Sequence, residues 1–179
     1  MCSGVVHGNT VSAGNSYASS MFYVVSYVLT TLGTFGIIML LSRQGFESEH
    51  IDDLKGLAKR SPWFAGVMAI FMFSLAGIPP TVGFYAKLSV LQALVSTNEA
   101  GYIWLAVIAV LLSLVGAFYY LRLVKVMYFD EPTADGDTEG LAGGAAVRTL
   151  FAANAVALLV IGLLPQWLLG ICIQAIRAL

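Results

Sequence analysis

From Pro62 to Ser96 the sequence carries a single charge, Lys87, in a stretch of roughly 35 otherwise uncharged and mostly apolar residues. A straight α-helix of that length measures about 52 Å, and fitting it into a hydrocarbon core of about 30 Å demands a tilt well beyond ~40°. The helix must break, and the place is Gly77-Ile78-Pro79-Pro80. Two adjacent prolines remove backbone donors and crowd the preceding turn, behind a flexible glycine. The pattern predicts two half-helices, 62–76 and 81–96, the first opened by Pro62 at a position that tolerates proline. A simple proline kink is the alternative, and the excess length argues against it.

The rest of the chain supports a bilayer as solvent. Of 179 residues, 59% are hydrophobic and 11% charged, against about 45–50% and about 25% in a soluble domain. The mean hydropathy is +0.85. Nine Lys and Arg against ten Asp and Glu leave no basic excess, so nucleic acid is excluded as a partner. Cys2 and Cys172 sit near opposite ends without a CxxC or a paired histidine, which points away from a metal or iron–sulfur site. The N-terminus lacks the basic start and apolar stretch of a secretory signal.

The expected fold is an all-α polytopic transmembrane helix bundle of about four spans, one of them broken. Residues 1–16 are small and polar and read as an outside loop; 17–42 is an uncharged span ended by Arg43. Residues 43–61 mix both charges into a cytoplasmic loop, within which 51–60 has the pattern of a short surface helix. The broken span 62–96 and a tight turn lead to a third span, 102–129, with Tyr102 and Trp104 at one interface and Tyr119, Tyr120 and Tyr128 at the other. Residues 130–145 read as a mobile acidic, glycine-rich loop, and 146–179 as a last span followed, after Pro165, by a surface tail. Arg43, Lys55, Lys59, Arg60, Arg122, Lys125 and Arg148 fall on one side and Arg177 on the other. The positive-inside rule then sets both chain ends outside, in the periplasm if the membrane is a bacterial inner membrane.

Lys87 is the residue that points to chemistry. It precedes Ser96 by two and a half helical turns, about 13 Å, close to the middle of a ~30 Å core and beyond the reach of snorkelling. No acidic residue lies in the chain's own spans to pair with it. An ammonium there must be solvated by protein or water, or give up its proton, and a lysine so placed suits a proton relay. The break at Gly77, Pro79 and Pro80 helps, because unwound backbone at membrane depth is tolerated where it lines a polar cavity. Tyr27, Thr30, Ser74, Thr81, Tyr85 and Tyr119 are candidate linings of a water path, and Thr31, Ser113 and Asn154 add further polar groups. Each also has a plain reading as a hydrogen-bonding contact between packed helices. Gly33-Thr34-Phe35-Gly36 reads as a close-packing surface, and His7 and His50 as solvated.

The stretch Phe22 to Gly36, then Asp53-Leu54-Lys55-Gly56-Leu57, then Phe73-Ser74-Leu75-Ala76-Gly77-Ile78-Pro79-Pro80-Thr81-Val82-Gly83-Phe84-Tyr85-Ala86-Lys87, resembles the proton-conducting, antiporter-like membrane subunits of respiratory complex I, NADH:quinone oxidoreductase. Gly116-Ala117-Phe118-Tyr119-Tyr120-Leu121-Arg122 and Met127-Tyr128-Phe129 extend the likeness, which is close over about residues 2–132 and loose over the final span. The resemblance implies two inverted repeats, each with a broken helix bearing a key lysine, and Lys87 matches the lysine of the second. It implies that this chain is a piece of a longer subunit, holding the last four spans and lacking the first repeat. It further implies no cofactor in this chain, with NADH, flavin, iron–sulfur and quinone sites in partner subunits, and with the other complex I membrane subunits and the bilayer as partners. The alternatives are a Mrp-type cation/proton antiporter subunit and a non-conducting structural fragment.

Overall fold

A computed structural model of the chain describes residues 10–42, 51–131 and 144–177. It is all-helical over those residues. In order come α1 (Thr10–Ser42), a 3-10 turn (Ile51–Leu54), α2 (Leu57–Arg60), α3 (Pro62–Ala76), α4 (Val82–Val95), α5 (Ala100–Phe129), α6 (Ala145–Leu163) and α7 (Pro165–Arg177). Three helices, with spans Ser16–Leu41, Ala100–Phe129 and Ala145–Leu163, are long and apolar enough to cross a membrane. The stretch 62–96 is divided into α3 and α4, each too short to cross alone as a full-length span.

Residues 10–16, read from composition as part of an outside loop, are the first turns of α1. They contain no proline, and Ser20 Oγ donates to the Ser16 carbonyl at 2.9 Å, so the small polar residues extend the helix they precede. Farther along, hydroxyls that find no water on a spanning helix turn back on its own backbone. Ser26, Thr30 and Thr34 donate to the carbonyls of Phe22, Ser26 and Thr30 at 2.7, 2.8 and 2.9 Å.

The expected surface helix over 51–60 is split by Gly56, whose φ of 65° is left-handed and ends the 3-10 turn before α2 begins. Leu54 and Leu57 on either side are buried, and the Gly56 N–H points to the Val126 carbonyl on α5 at 3.4 Å. This segment is therefore pinned beneath α5 and does not lie free. The span read as 102–129 is α5, ending at Phe129. The segment read as 146–179 divides at Pro165, with α6 before it and α7 running from it to Arg177. Leu168, Leu169, Cys172, Ile173 and Ile176 recur at helical spacing on one stripe of α7, which packs on α1 and the core. Residues 1–9, 43–50, 132–143 and 178–179 lie outside the described residues, and with them Cys2, His7, Arg43, His50 and most of the acidic loop.

The core is where α1, α3, α4 and α6 converge: Phe22, Ile37, Phe64, Met68, Phe71, Met72, Val82, Ala86, Phe151 and Leu158 are buried in it. Gly33 and Gly36 make room there. A Cβ on Gly33 would strike the Phe71 ring and lie 2.8 Å from Asn154 Nδ2, and one on Gly36 would lie 2.8 Å from Phe151 Cε1. The reading of these glycines as a packing surface thus acquires named partners. Helix α5 packs along α3 and leaves most of its apolar side chains exposed, Trp104, Leu112, Leu114 and Phe118 among them.

Candidate functional site

The site is the break itself. A helix ends with four carbonyls that have no donor of their own, here those of Phe73, Ser74, Leu75 and Ala76 at the end of α3. Gly77 turns left-handed at φ 83°, so its N–H reaches back to the Phe73 and Ser74 oxygens at 2.9 and 3.1 Å while the Ile78 N–H meets Phe73 O at 2.9 Å. The carbonyls of Leu75 and Ala76 remain. Lys87, on the second turn of α4, fills that vacancy, its Nζ donating to Leu75 O at 2.9 Å and to Ala76 O at 3.0 Å.

The third donor of the ammonium goes to Ser113 Oγ on α5 at 2.9 Å. All three N–H groups of a lysine are then satisfied, two of them by the negative end of a helix dipole. Among the described residues Lys87 makes no ion pair. Its cation is solvated by neutral dipoles. Gly77 is required twice over: its φ suits glycine, and a Cβ there would stand 3.0 Å from Lys87 Cδ and 3.2 Å from Nζ, so the lysine stem crosses the glycine face.

Neighbouring backbone holds the break in shape. Thr81 donates through Oγ1 to Ile78 O at 2.7 Å and through its N–H to the same oxygen at 3.1 Å, closing the turn that contains Pro79 and Pro80. Gly83, in the first turn of α4, lies so close to the end of α3 that a Cβ would fall on the Ser74 carbonyl. From the other side, Gly162 of α6 rests on the backbone of Pro80, Thr81 and Val82. These two glycines allow the half-helices and α6 to approach at backbone distance.

The other residues singled out in the sequence range from buried to exposed. Thr30 Oγ1 and Ser74 Oγ, both buried, share a hydrogen bond of 3.2 Å between α1 and α3, and Thr81 is buried within the break. Tyr85 is half-buried and edge-on to Phe84, with centroids 5.3 Å apart. Tyr27 and Tyr119 stand on exposed faces, Tyr27 stacked on Tyr23 and Tyr119 edge-on to Phe118. Asn154 Nδ2 donates to Leu29 O at 3.0 Å, and its Oδ1 is buried with no hydrogen-bond partner among the described residues. Ser113 was one polar group among several in the sequence, and only the structure places it on Lys87. Gly83 stands in the stretch that carries the family resemblance but had no assigned part there, and Gly162 carried no sequence signal that marked it for the break. Among the described residues there is no cluster of three or more His, Cys, Asp or Glu side chains that could hold a metal ion.

A broken helix capped by a lysine can be compared with proteins already known. The family model described as NADH:quinone oxidoreductase/Mrp antiporter, transmembrane region, matches residues 4–116. The chain belongs to this family. It is 60% identical over 169 residues to NADH-quinone oxidoreductase subunit N of Thiobacillus denitrificans, covering 94% of this chain and 34% of that protein. Over 179 residues it is 52% identical to subunit N of Polaromonas naphthalenivorans, covering 100% of the chain and 36% of the relative. The chain thus spans about a third of the length of the curated relatives it matches.

Solved structures share the fold. Respiratory complex I from Thermus thermophilus with bound aureothin contains a chain that superimposes with a TM-score of 0.69 at 27% identity, covering 89% of this chain and 36% of that one. The Mrp complex from Dietzia gives 0.75 at 23% identity, covering 91% and 38%, a likeness of fold alone. Membership of this family makes the chain a multi-pass, antiporter-like membrane protein, in keeping with its three long apolar helices and the divided fourth.

Proposed function

We propose that this chain forms part of the proton path in the membrane subunit of a bacterial NADH:quinone oxidoreductase, with Lys87 as a group that takes up and releases a proton. The observation that carries the reading is the cage around Lys87. Two helix-end carbonyls and one hydroxyl stabilise the cation where lipid would not, and among the described residues no carboxylate pairs with it. A cation held this way can exchange its proton without breaking an ion pair. The family model covers both classes, and the subunit N relatives, at 52% and 60% identity, favour this reading over a Mrp-type antiporter, whose solved representative is 23% identical.

In this account the chain supplies the polar path and nothing of the redox chemistry. NADH, flavin, iron–sulfur clusters and quinone are handled by other subunits of the complex, and both chain ends face the periplasmic side of the cell membrane. Gly77 and Thr81 hold the end of α3 open toward Lys87, while Thr30 and Ser74 provide a buried hydroxyl pair one turn away from the break. The test is Lys87→Ala at the chromosomal locus, with NADH-driven proton uptake measured in inverted membrane vesicles. Uptake falls while the complex still assembles; uptake at the wild-type level removes Lys87 from the path.

A further inference from the structure

We infer that Ser113 is the proton-exchange partner of Lys87, an inference that rests on the role just proposed for the lysine. Three oxygens receive the ammonium, those of Leu75, Ala76 and Ser113, at 2.9, 3.0 and 2.9 Å. They are not equivalent. A backbone carbonyl accepts a hydrogen bond but has no proton of its own to pass on, whereas a hydroxyl accepts on its lone pairs and donates through O–H. Of the three contacts, therefore, only Ser113 can carry a proton to or from Nζ.

The step balances with water as co-reactant. The Nζ–H bond facing Ser113 breaks and its proton joins Oγ, while the original Ser113 proton leaves Oγ for a water molecule. Serine ends neutral, lysine ends as a neutral amine, and the positive charge moves to the water. The amine still donates its two remaining protons to Leu75 O and Ala76 O, and its new lone pair accepts from the Ser113 hydroxyl. Every heavy atom keeps its place in both protonation states, and only the direction of the Lys87–Ser113 hydrogen bond reverses. The site is built to exchange a proton without moving the side chain.

The placement of Ser113 fits that task. From Ile103 to Phe118 it is the only hydroxyl on α5, in a run of aliphatic and aromatic residues whose outer face is exposed. It sits on the inner stripe of α5, two turns after the buried Ala106 and ahead of the half-buried Gly116, Ala117 and Tyr120. Over that run α5 contributes one hydroxyl, and that hydroxyl meets the ammonium.

The experiment compares Ser113→Ala, Ser113→Thr and Lys87→Ala at the chromosomal locus. The readout is NADH-driven proton uptake by inverted vesicles, normalised to the NADH oxidation that an artificial acceptor draws from the same membranes. Ser113→Ala loses as much uptake as Lys87→Ala, and Ser113→Thr, which keeps a hydroxyl, restores it. Wild-type uptake in Ser113→Ala beside a loss in Lys87→Ala overturns the Ser113 role and leaves the lysine reading intact. Equal loss in Ser113→Ala and Ser113→Thr also overturns it, because the hydroxyl is then not what matters. Wild-type uptake in Lys87→Ala sinks the reading beneath both. If Ser113→Ala does not accumulate on an immunoblot, Ser113→Cys decides: its weaker thiol lowers uptake if the inference holds, and wild-type uptake overturns it.

Discussion

Gly162→Ala is the sharpest structural perturbation available, because what a single methyl group would meet is backbone. A Cβ at that position would fall on Pro80 O and stand 2.6 Å from Thr81 C and 2.7 Å from Val82 N. None of these is the end of a flexible side chain, so α6 and the break must separate. Overpacking of this kind costs about 1–3 kcal/mol. Against it stands the gain from replacing a helical glycine by alanine, about 0.8–1 kcal/mol. Gly116→Ala isolates that gain, since its Cβ would meet nothing nearer than Tyr120 Cε2 at 3.9 Å. The purified full chain in detergent, titrated with denaturant and followed by circular dichroism, should rank Gly116→Ala above wild type and Gly162→Ala below it. The expected gap between the two variants is about 1–3 kcal/mol, the overpacking cost alone. Equal stability of the two variants would refute the close approach of α6 to the break.

Four further substitutions probe other parts of the site. Gly77→Ala forces a side chain into left-handed backbone, at about 1–2 kcal/mol, and presses on the Lys87 stem; the same titration should register the loss, and vesicles carrying it should take up fewer protons. A double-mutant cycle of Thr30→Val and Ser74→Ala should give a coupling of about 0.5–1.5 kcal/mol, and zero coupling would mean that the 3.2 Å hydroxyl contact does not hold α1 to α3. Asn154→Leu removes one hydrogen bond together with the buried Oδ1 that has no partner among the described residues, so its stability should lie within about 1 kcal/mol of wild type, and a larger loss points to a bridging water.

The break was legible because two independent constraints coincide at one place. The apolar stretch around Lys87 is too long for the bilayer, and Gly77, Pro79 and Pro80 cannot continue a helix. Lys87 was legible because a charge among apolar residues has few reasons to be there. What solvates it was not legible: Leu75 and Ala76 act through their carbonyls, which every residue has, and only the handedness of Gly77 decides which carbonyls stay free. Ser113 had a faint signal as the lone hydroxyl of its run. Gly162 had none, since Gly116 looks the same in sequence and packs against little. Residues 10–16 show the reverse error, in which small polar composition suggested a loop although nothing in it stops a helix.

In the proposed function position 87 exchanges a proton, and is not merely a fixed positive charge capping α3. Lys87→Arg separates the two, because a guanidinium donates hydrogen bonds to carbonyls but stays protonated in proteins. The measurement is NADH-driven proton uptake in inverted vesicles from cells carrying Lys87→Arg, beside wild type and Lys87→Ala. The expected result is a chain that accumulates normally and an uptake as low as that of Lys87→Ala. Wild-type uptake with arginine in place would contradict it, showing that the break needs a charge and that the proton travels elsewhere.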